Sequence, residues 1–228
     1  MGKTLNDNGY NNVCVCAFRV LNGENFFKSG KIQLVQDEQV LSVVKNVVNG
    51  YIYYYDNYPI NFVCSSGVFF VCVDLHNDDN EYDVLKFVTR VVYQIQTYLL
   101  QKLHLVVSGC IKKGKCLLED KTKVCLNGIK IALDIENCSV LAQPYIFVDH
   151  ADFSAMTNRL VRDNHLFKTV DNLYVINYFR FFKDVVSMQF VIDYITKTKR
   201  ASSKQILLFK DMFDKSCAKL KVDVVNNT

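Results

Sequence analysis

Three neighbouring lysines are the residues whose type best suits a charged ligand. In the stretch HLVVSGCIKKGK, Lys112, Lys113 and Lys115 flank Gly114 after an apolar segment. Ammonium groups bind phosphate oxygens and acidic protein surfaces, and either partner would give these lysines a binding role. The alternative is that they are solvent-exposed residues of a β-hairpin that turns at Gly114.

Other common catalytic motifs are missing from the sequence. Ser65 and Ser66, with His76 or His104, do not make a serine hydrolase because no G-x-S-x-G motif is present. The chain has neither a Walker A motif nor a G-x-G-x-x-G motif for nucleotide phosphates. Its nine cysteines include no C-x-x-C pair and its four histidines are scattered, so we expect no zinc site.

Composition and charge narrow the class of protein. The 228 residues are 50% hydrophobic and include only two prolines, which predicts a buried core without a linker. A net charge of +4 is too small to predict a nucleic-acid-binding protein, and the basic stretch Lys197–Lys204 is interpreted as a solvated loop. No apolar run reaches the roughly 20 residues that span a bilayer, so we expect no membrane association.

The expected compartment is the cytosol. An odd number of cysteines after a polar N-terminal segment argues against a disulfide framework and predicts a reducing environment. The high content of Asn, Lys, Tyr and Val is typical of AT-rich coding, which indicates a virus or a low-GC bacterium. For a virus, the compartment would be the host cytosol.

Hydrophobic periodicity predicts both strands and helices. Asp37 and Glu38 suit the first turn of a helix at 36–57, and Gly30 is expected to end a short helix before it. In the helix at 83–102, an apolar stripe includes Tyr98. The remaining predicted segments are strands at 13–20, 60–65, 68–74, 103–111, 144–149 and 172–179, a helix at 127–140, a second hairpin arm at 115–120, and helices from 181 to about 196 and on to about 220.

This order of elements predicts an α+β fold of the ferredoxin-like kind. Some strands are separated by helices and others are paired as hairpins, unlike a doubly wound parallel sheet. We expect a polar tail at 1–12, one domain at 13–180 and a C-terminal helical extension at 181–228.

Five short segments follow one another along the chain: AFRVLNGENFF (Ala17–Phe27), CSSGVFF (Cys64–Phe70), VSGCIKKGK (Val107–Lys115), VCLNGIKIALDIE (Val124–Glu136) and AQPYIFVD (Ala142–Asp149). In this order they resemble the catalytic domain of class III adenylyl and guanylyl cyclases, in its compact bacterial and phage branch. The resemblance covers roughly residues 13–180 and implies a ferredoxin-like βααββαβ core that works as a dimer. The helix that carries Asp134 and Glu136 lies near the dimer interface in that family.

The resemblance also implies that the metal site is lost. Cyclases of this class hold two divalent cations with two aspartates, one on the first strand and one in the hairpin. The matching residues here are Arg19 and Ser66. Glu24 and Asp74 lie too far along the chain to replace them. No cofactor is therefore expected, and Mg²⁺ or Mn²⁺ would be needed only if other residues hold the metals.

Arg19 could instead bind a phosphate. A guanidinium pairs with phosphate oxygens, and the backbone around Asn22 and Gly23 would offer N–H groups to the same anion. The residues that would complete this site are Ser65, Lys112, Lys113 and Lys115. The alternative is that Arg19 forms an ion pair with Asp74 or Asp149.

Three functions are compatible with these observations. The first is a catalytically inactive cyclase homologue, or pseudoenzyme, that binds a nucleotide or acts as a regulator or scaffold. The second is an active cyclase with relocated metal ligands. The third is a protein-interaction module on the same fold. We expect a homodimer or a related cyclase-like partner, with no specific binding of nucleic acid.

Overall fold

The structure, a computed structural model, describes most of the chain. The described residues are 10–20, 30–54, 58, 60–65, 67–75, 81–103, 105–117, 144–180, 189–193, 196 and 203–226. The strands are β1 (Tyr10–Val20), β2 (Ile60–Ser65), β3 (Val68–Asp74), β4 (Val107–Leu117), β5 (Ile146–Val148), β6 (Leu166–Lys168) and β7 (Tyr174–Ile176). The helices are α1 (Gly30–Tyr54), α2 (Glu81–Leu103), α3 (Ser154–Arg162) and α4 (Ser203–Asn226), and residues 189–193 are also helical.

The seven strands that the structure describes belong to one sheet, in the order β2-β3-β1-β4-β5-β7-β6. Every neighbouring pair is antiparallel except β4 and β5, which are parallel. The predicted α+β class is therefore confirmed. The hairpin of β2 and β3 has the predicted bounds, and Gly67 in its turn has a φ of 77°, a conformation that glycine adopts without steric cost.

β1 is buried on both faces, as its continuous apolar sequence predicts. Cys14, Cys16 and Phe18 point to the face that carries α1 and α2. The residues between them point to the opposite face, where Val15 and Ala17 are fully buried. Burial raises the pKa of both Cys14 and Cys16 above the usual value, so these thiols pack as apolar groups.

Helix α1 differs from its predicted bounds. It begins at Gly30, which was expected to end a preceding helix, and it ends at Tyr54. Asp37 and Glu38 therefore lie beyond its first turn, which contains no acidic residue. The predicted apolar stripe is present because Val40 and Val44 are buried against the sheet.

Helix α2 forms at nearly the predicted residues and packs on the same face as α1. Its buried stripe includes Val84, Val88 and Val91. Tyr98, predicted to belong to that stripe, is 41% exposed, so this assignment is wrong. The ring of Tyr98 instead lies 5.2 Å from the ammonium group of Lys102 at the helix surface.

The course of β4 differs from the hairpin that was predicted around Lys112, Lys113 and Lys115. β4 is one strand of eleven residues that pairs with all of β1, from Val20 opposite Val107 to Tyr10 opposite Leu117. Gly114 lies inside this strand opposite Val13, so the predicted hairpin turn is wrong. Extension along β1 satisfies the backbone groups of Lys112–Leu117, a tertiary effect that local turn signals do not contain.

The C-terminal helix α4 packs on the face of β6 and β7 that points away from α2 and α3. Phe209 and Met212 of α4 are buried against Tyr178 and Phe179 in a second hydrophobic cluster. The rings of Tyr178 and Phe209 have their centres 5.2 Å apart. Of the helices that the structure describes, none is long and apolar enough to span a membrane.

Several predicted segments lie outside the described residues. They are the short helix before Gly30, the helix at 127–140 with Asp134 and Glu136, and most of 181–200. β1 begins at Tyr10, inside the predicted polar tail, because its first residues pair with the end of β4. Within the basic stretch, Lys204 lies at the start of α4 and its ammonium group is 2.6 Å from the Asp171 carboxylate.

Candidate functional site

Arg19 lies near the end of β1, beside the β2–β3 turn. Phe18 pairs with Phe69 of β3, so Arg19 is one residue further toward that turn. Ser65 pairs with Val68 at the base of the turn, although its side chain is not among those described. Ser66, Asn22, Gly23, Glu24, His76 and His104 lie outside the described residues.

The nearest cross-strand neighbour of Arg19 is Ser108 of β4. Directly opposed residues on antiparallel strands point to the same face, here the face that Ala17 shares with Cys110. Arg19 is half-buried, whereas Ser108 is 1% exposed and its Oγ makes no hydrogen bond among the described residues. A guanidinium beside an unsatisfied hydroxyl can bind an anion, but it cannot hold a divalent cation.

The ion pairs suggested as an alternative for Arg19 are not formed. Asp74 pairs with Val13, roughly 20 Å along the strand from Arg19 at ~3.3 Å per residue. Asp149 instead accepts from Lys112, with 3.1 Å between Oδ2 and Nζ. No ion pair of Arg19 is present in the part of the chain that the structure describes.

Two of the three lysines already have carboxylate partners. The Nζ of Lys113 lies 2.7 and 2.8 Å from the two carboxylate oxygens of Glu81, and its backbone N–H donates to Asp152 at 2.9 Å. Burial alone lowers the pKa of Lys112, but the hydrogen bond to Asp149 and nearby negative groups outweigh it and raise that pKa overall. Lys115 is exposed, opposite Asn12. Lys112 and Lys113 therefore tie β4 to neighbouring elements, and the three lysines do not form one patch.

A second group of charged residues lies on the helix-covered side of the sheet. We call Lys86, Arg90, Arg159 and Arg180 the basic cluster. Tyr82, Lys86 and Arg90 recur every four residues, so they form one stripe along α2. The hydroxyl of Tyr82 donates to Asp163 at the end of α3. Around the Tyr82 ring, the Arg159 guanidinium lies 3.8 Å from the ring centre and the Lys86 ammonium 5.5 Å.

His165 connects the basic cluster to β6 and β7. It is 3% exposed, and its backbone N–H donates to the carbonyl of Leu160 in α3. Burial lowers the pKa of His165 to about 3, and the positive charges of Arg180, Arg90 and Lys86 act in the same direction. The imidazole is therefore neutral at physiological pH.

Arg180 follows β7 and faces the same region. Its backbone N–H donates to Asn177, whose own backbone N–H donates to His165. Burial and, to a smaller extent, the charge of Arg90 lower the pKa of Arg180 to about 10. Asp163 works against both effects, and its own pKa is lowered mainly by the hydrogen bond from Tyr82.

Sequence analysis did not identify the basic cluster because its members come from three separate regions of the chain. The one local signal was the four-residue spacing of Lys86 and Arg90, which resembles an ordinary solvated helix face. Arg159 and Arg180 join that face only when α3 and β7 pack beside α2.

No family model matches the chain, and no curated protein matches it. Within the described ranges, no group of three or more His, Cys, Asp or Glu side chains is arranged to hold a metal ion.

Proposed function

We propose that the chain is a catalytically inactive homologue of nucleotide cyclases that binds a nucleotide in a regulatory or scaffold role. The observation that carries this proposal is Arg19, a fixed positive charge at the end of β1 beside the β2–β3 turn. A metal aspartate would occupy this strand position in a cyclase. An arginine there favours direct pairing with phosphate oxygens over pairing through a metal.

The topology of the first half of the chain supports the proposal. A helix follows β1 and another follows β3, and the four strands lie in the order β2-β3-β1-β4 with antiparallel neighbours. This order is the one that a split βαβ, ferredoxin-like core would have, and it supports the proposal. The cyclase-like assignment and the homodimer remain parts of the proposal, as does the cytosolic location.

In this proposal, fewer residues contact the phosphate than the sequence suggests. Lys112 and Lys113 are occupied by Asp149 and Glu81, so they are not the main phosphate ligands. Arg19 and the hydroxyl of Ser108 are the described polar groups on the proposed binding face at the end of β1. The backbone of Asn22 and Gly23 would complete the site.

Two measurements test this function. With ATP, GTP, CTP or UTP and Mn²⁺, we expect no 3′,5′-cyclic nucleotide above a no-protein control. In thermal-shift titrations, we expect at least one nucleotide to stabilise the chain. Arg19→Ala should weaken that binding about tenfold or more, which is 1.4 kcal/mol, because it removes the charged donor.

Lys115→Ala is the matched control, since Lys115 is an exposed cation on β4 at the far end of the β1–β4 pair. It should bind nucleotides as the parent chain does. Turnover of any nucleoside triphosphate would replace this proposal with an active cyclase whose metal ligands lie elsewhere. If no nucleotide stabilises the chain, the function that remains is that of a protein-interaction module.

A further inference from the structure

A groove lies between α1 and α2 and is open to solvent along its rim. Its volume is about 680 Å³, within the range of roughly 300–1,000 Å³ that small-molecule sites occupy. Val43, Val47 and Gly50 line it from α1, at the spacing of residues that share one helix face. Tyr98 and Lys102 line it from α2, one helical turn apart. The groove is thus formed by one face of each helix.

Gly50 keeps this groove open at a cost to helix α1. An added Cβ at this position would meet no atom within 4 Å, and the residue does not have a positive φ. Neither packing nor backbone conformation therefore requires a glycine here. Glycine inside a helix destabilises it by about 0.5–1 kcal/mol relative to alanine. A ligand that fills the open space beside Gly50 would explain why the helix carries a glycine there.

Two tyrosines line the groove from opposite helices. Tyr51 of α1 is half-buried, and its ring meets that of Phe87 edge-on, with the ring centres 5.5 Å apart. Tyr98 of α2 is 41% exposed. A flat ring placed against Tyr98 would remove apolar surface from water and could stack on the tyrosine. The groove therefore suits an aromatic ligand.

Lys102 gives the groove one positive charge. Its ammonium group lies 5.2 Å from the centre of the Tyr98 ring, and it makes no ion pair with any residue that the structure describes. The other polar side chains among the described lining residues, those of Asn46 and Gln94, are uncharged. One ammonium group balances one negative charge, so the groove matches a monoanion better than a nucleoside triphosphate.

We propose that this groove binds a small aromatic anion with a single acidic group, such as an aryl carboxylate or an aryl sulfonate. The aromatic ring of the ligand occupies the space beside Gly50, between Tyr51 and Tyr98. Its acidic group pairs with the ammonium group of Lys102.

This site is independent of the nucleotide site proposed at Arg19. Arg19 lies on the sheet face opposite α2, whereas α1 and α2 pack on the other face. Arg19→Ala should leave binding in the groove unchanged. The two proposals can therefore succeed or fail separately.

Two fluorescent probes test the ring and the charge. Anilinonaphthalene sulfonate carries one sulfonate group, and phenylnaphthylamine has the same aromatic skeleton without it. In fluorescence titrations of the full chain, we expect the sulfonate probe to bind with one-to-one stoichiometry. It should bind about threefold or more tightly than the neutral probe, because only the sulfonate pairs with Lys102.

Two variants test the shape of the groove. Gly50→Leu fills it and should weaken the binding of both probes about tenfold or more. This variant should melt no lower than the parent chain, because its Cβ meets no atom within 4 Å and leucine favours a helix. If Gly50→Leu is nevertheless less stable, Tyr98→Ala replaces it, since this change removes one wall at an exposed position and should also weaken both probes.

A second pair of variants tests the charge. Lys102→Gln should weaken the sulfonate probe about threefold or more and leave the neutral probe unchanged. Lys45→Gln is the matched control, because Lys45 is an exposed lysine of α1 that does not line the groove. It should bind both probes as the parent chain does.

The proposal is overturned if the sulfonate probe does not bind the parent chain, or if a stable Gly50→Leu binds it as the parent does. It is also overturned if Lys102→Gln leaves the affinity for the sulfonate unchanged. Sedimentation velocity distinguishes a small ligand from a second copy of the chain. We expect Gly50→Leu to keep the oligomeric state of the parent, and dissociation of a parent dimer by this variant would assign the groove to a second copy instead.

Discussion

Gly109 lies where β1 and β4 approach each other too closely for a side chain on β4. A Cβ atom at this position would lie 2.4 Å from the carbonyl oxygen of Ala17 and 2.6 Å from the Cβ of Phe18. Both neighbours belong to the central strand, and backbone atoms there cannot move without breaking the sheet register. Glycine is therefore required by strand packing, whatever ligand the adjacent Ser108 contacts.

Exchange of this glycine should cost stability. We expect Gly109→Ala to lower the free energy of unfolding by about 1–3 kcal/mol, because the added methyl group overpacks the β1–β4 pair. Gly50→Ala is the matched control: Gly50 lies in α1, and an added Cβ would meet nothing within 4 Å.

The control should raise the free energy of unfolding by about 0.5–1 kcal/mol, because alanine favours the helix. Urea denaturation of the two variants beside the parent chain measures both effects. If Gly109→Ala matched the parent in stability, the close approach of the two strands would be disproved.

At the scale of elements, α4 is joined to the sheet by one apolar face. Phe209 is 1% exposed against Tyr178, whereas Leu207, two residues earlier, is 66% exposed. This contrast shows that α4, which follows the domain predicted at 13–180, packs against that domain through one apolar face. The C-terminal extension is thus attached through specific side chains.

We expect Phe209→Ala to lower the free energy of unfolding by about 3–5 kcal/mol, since it leaves a cavity under α4. Leu207→Ala, on the solvent side of the same helix, should change it by no more than about 0.5 kcal/mol. Guanidinium unfolding followed by circular dichroism compares the two variants. Equal effects at both positions would mean that α4 does not pack through Phe209.

Local sequence signals were sufficient for some elements and not for others. The β2–β3 hairpin was predicted at its observed residues because apolar strands flank a short turn with Gly67. The start of α1 at Gly30 and the continuation of β4 through Gly114 were missed, since both glycines looked like terminators. Pairing with β1, a contact distant in sequence, decides the course of β4.

The candidate sites also depend on contacts between residues that are distant in sequence. Arg19 lies beside the β2–β3 turn because β1 pairs with β3 along its whole buried length. The basic cluster depends on how α3 and β7 pack against α2, so no single segment predicts it. The carboxylate partners of Lys112 and Lys113 likewise come from elements distant in sequence.

At the scale of the whole molecule, the burial of His165 connects global stability to pH. The folded chain keeps this imidazole neutral down to about pH 3, whereas the unfolded chain protonates it near its ordinary value of about 6.5. Between these values the unfolded state binds the extra proton. His165 thus makes its full contribution to the free energy of unfolding above about pH 6.5, and this contribution decreases as the pH falls.

We expect the free energy of unfolding of the parent chain to fall by up to about 2 kcal/mol from this group between about pH 6.5 and pH 5. The charges that face His165 are those of Lys86, Arg90, Asp163 and Arg180. His165→Asn should show a smaller decrease over this interval in urea denaturation. Asp163 is not expected to contribute to it, since the pKa of its carboxyl is lowered.

His150→Asn is the control for loss of an imidazole, because His150 is exposed beside Thr157. It should keep the pH dependence of the parent chain. If the free energy of unfolding fell equally with pH in His165→Asn and in the parent chain, the buried neutral state of His165 would be contradicted.

The long pairing of β1 with β4 also determines when the protein can fold during synthesis. Each of its residue pairs, from Val20 with Val107 to Tyr10 with Leu117, joins positions separated by roughly 90 residues or more. A ribosome adds about 5–20 residues per second. The sequence VCVCAF of β1 thus leaves the ribosome several seconds before β4 exists, and during that interval this edge of β1 has no strand to pair with.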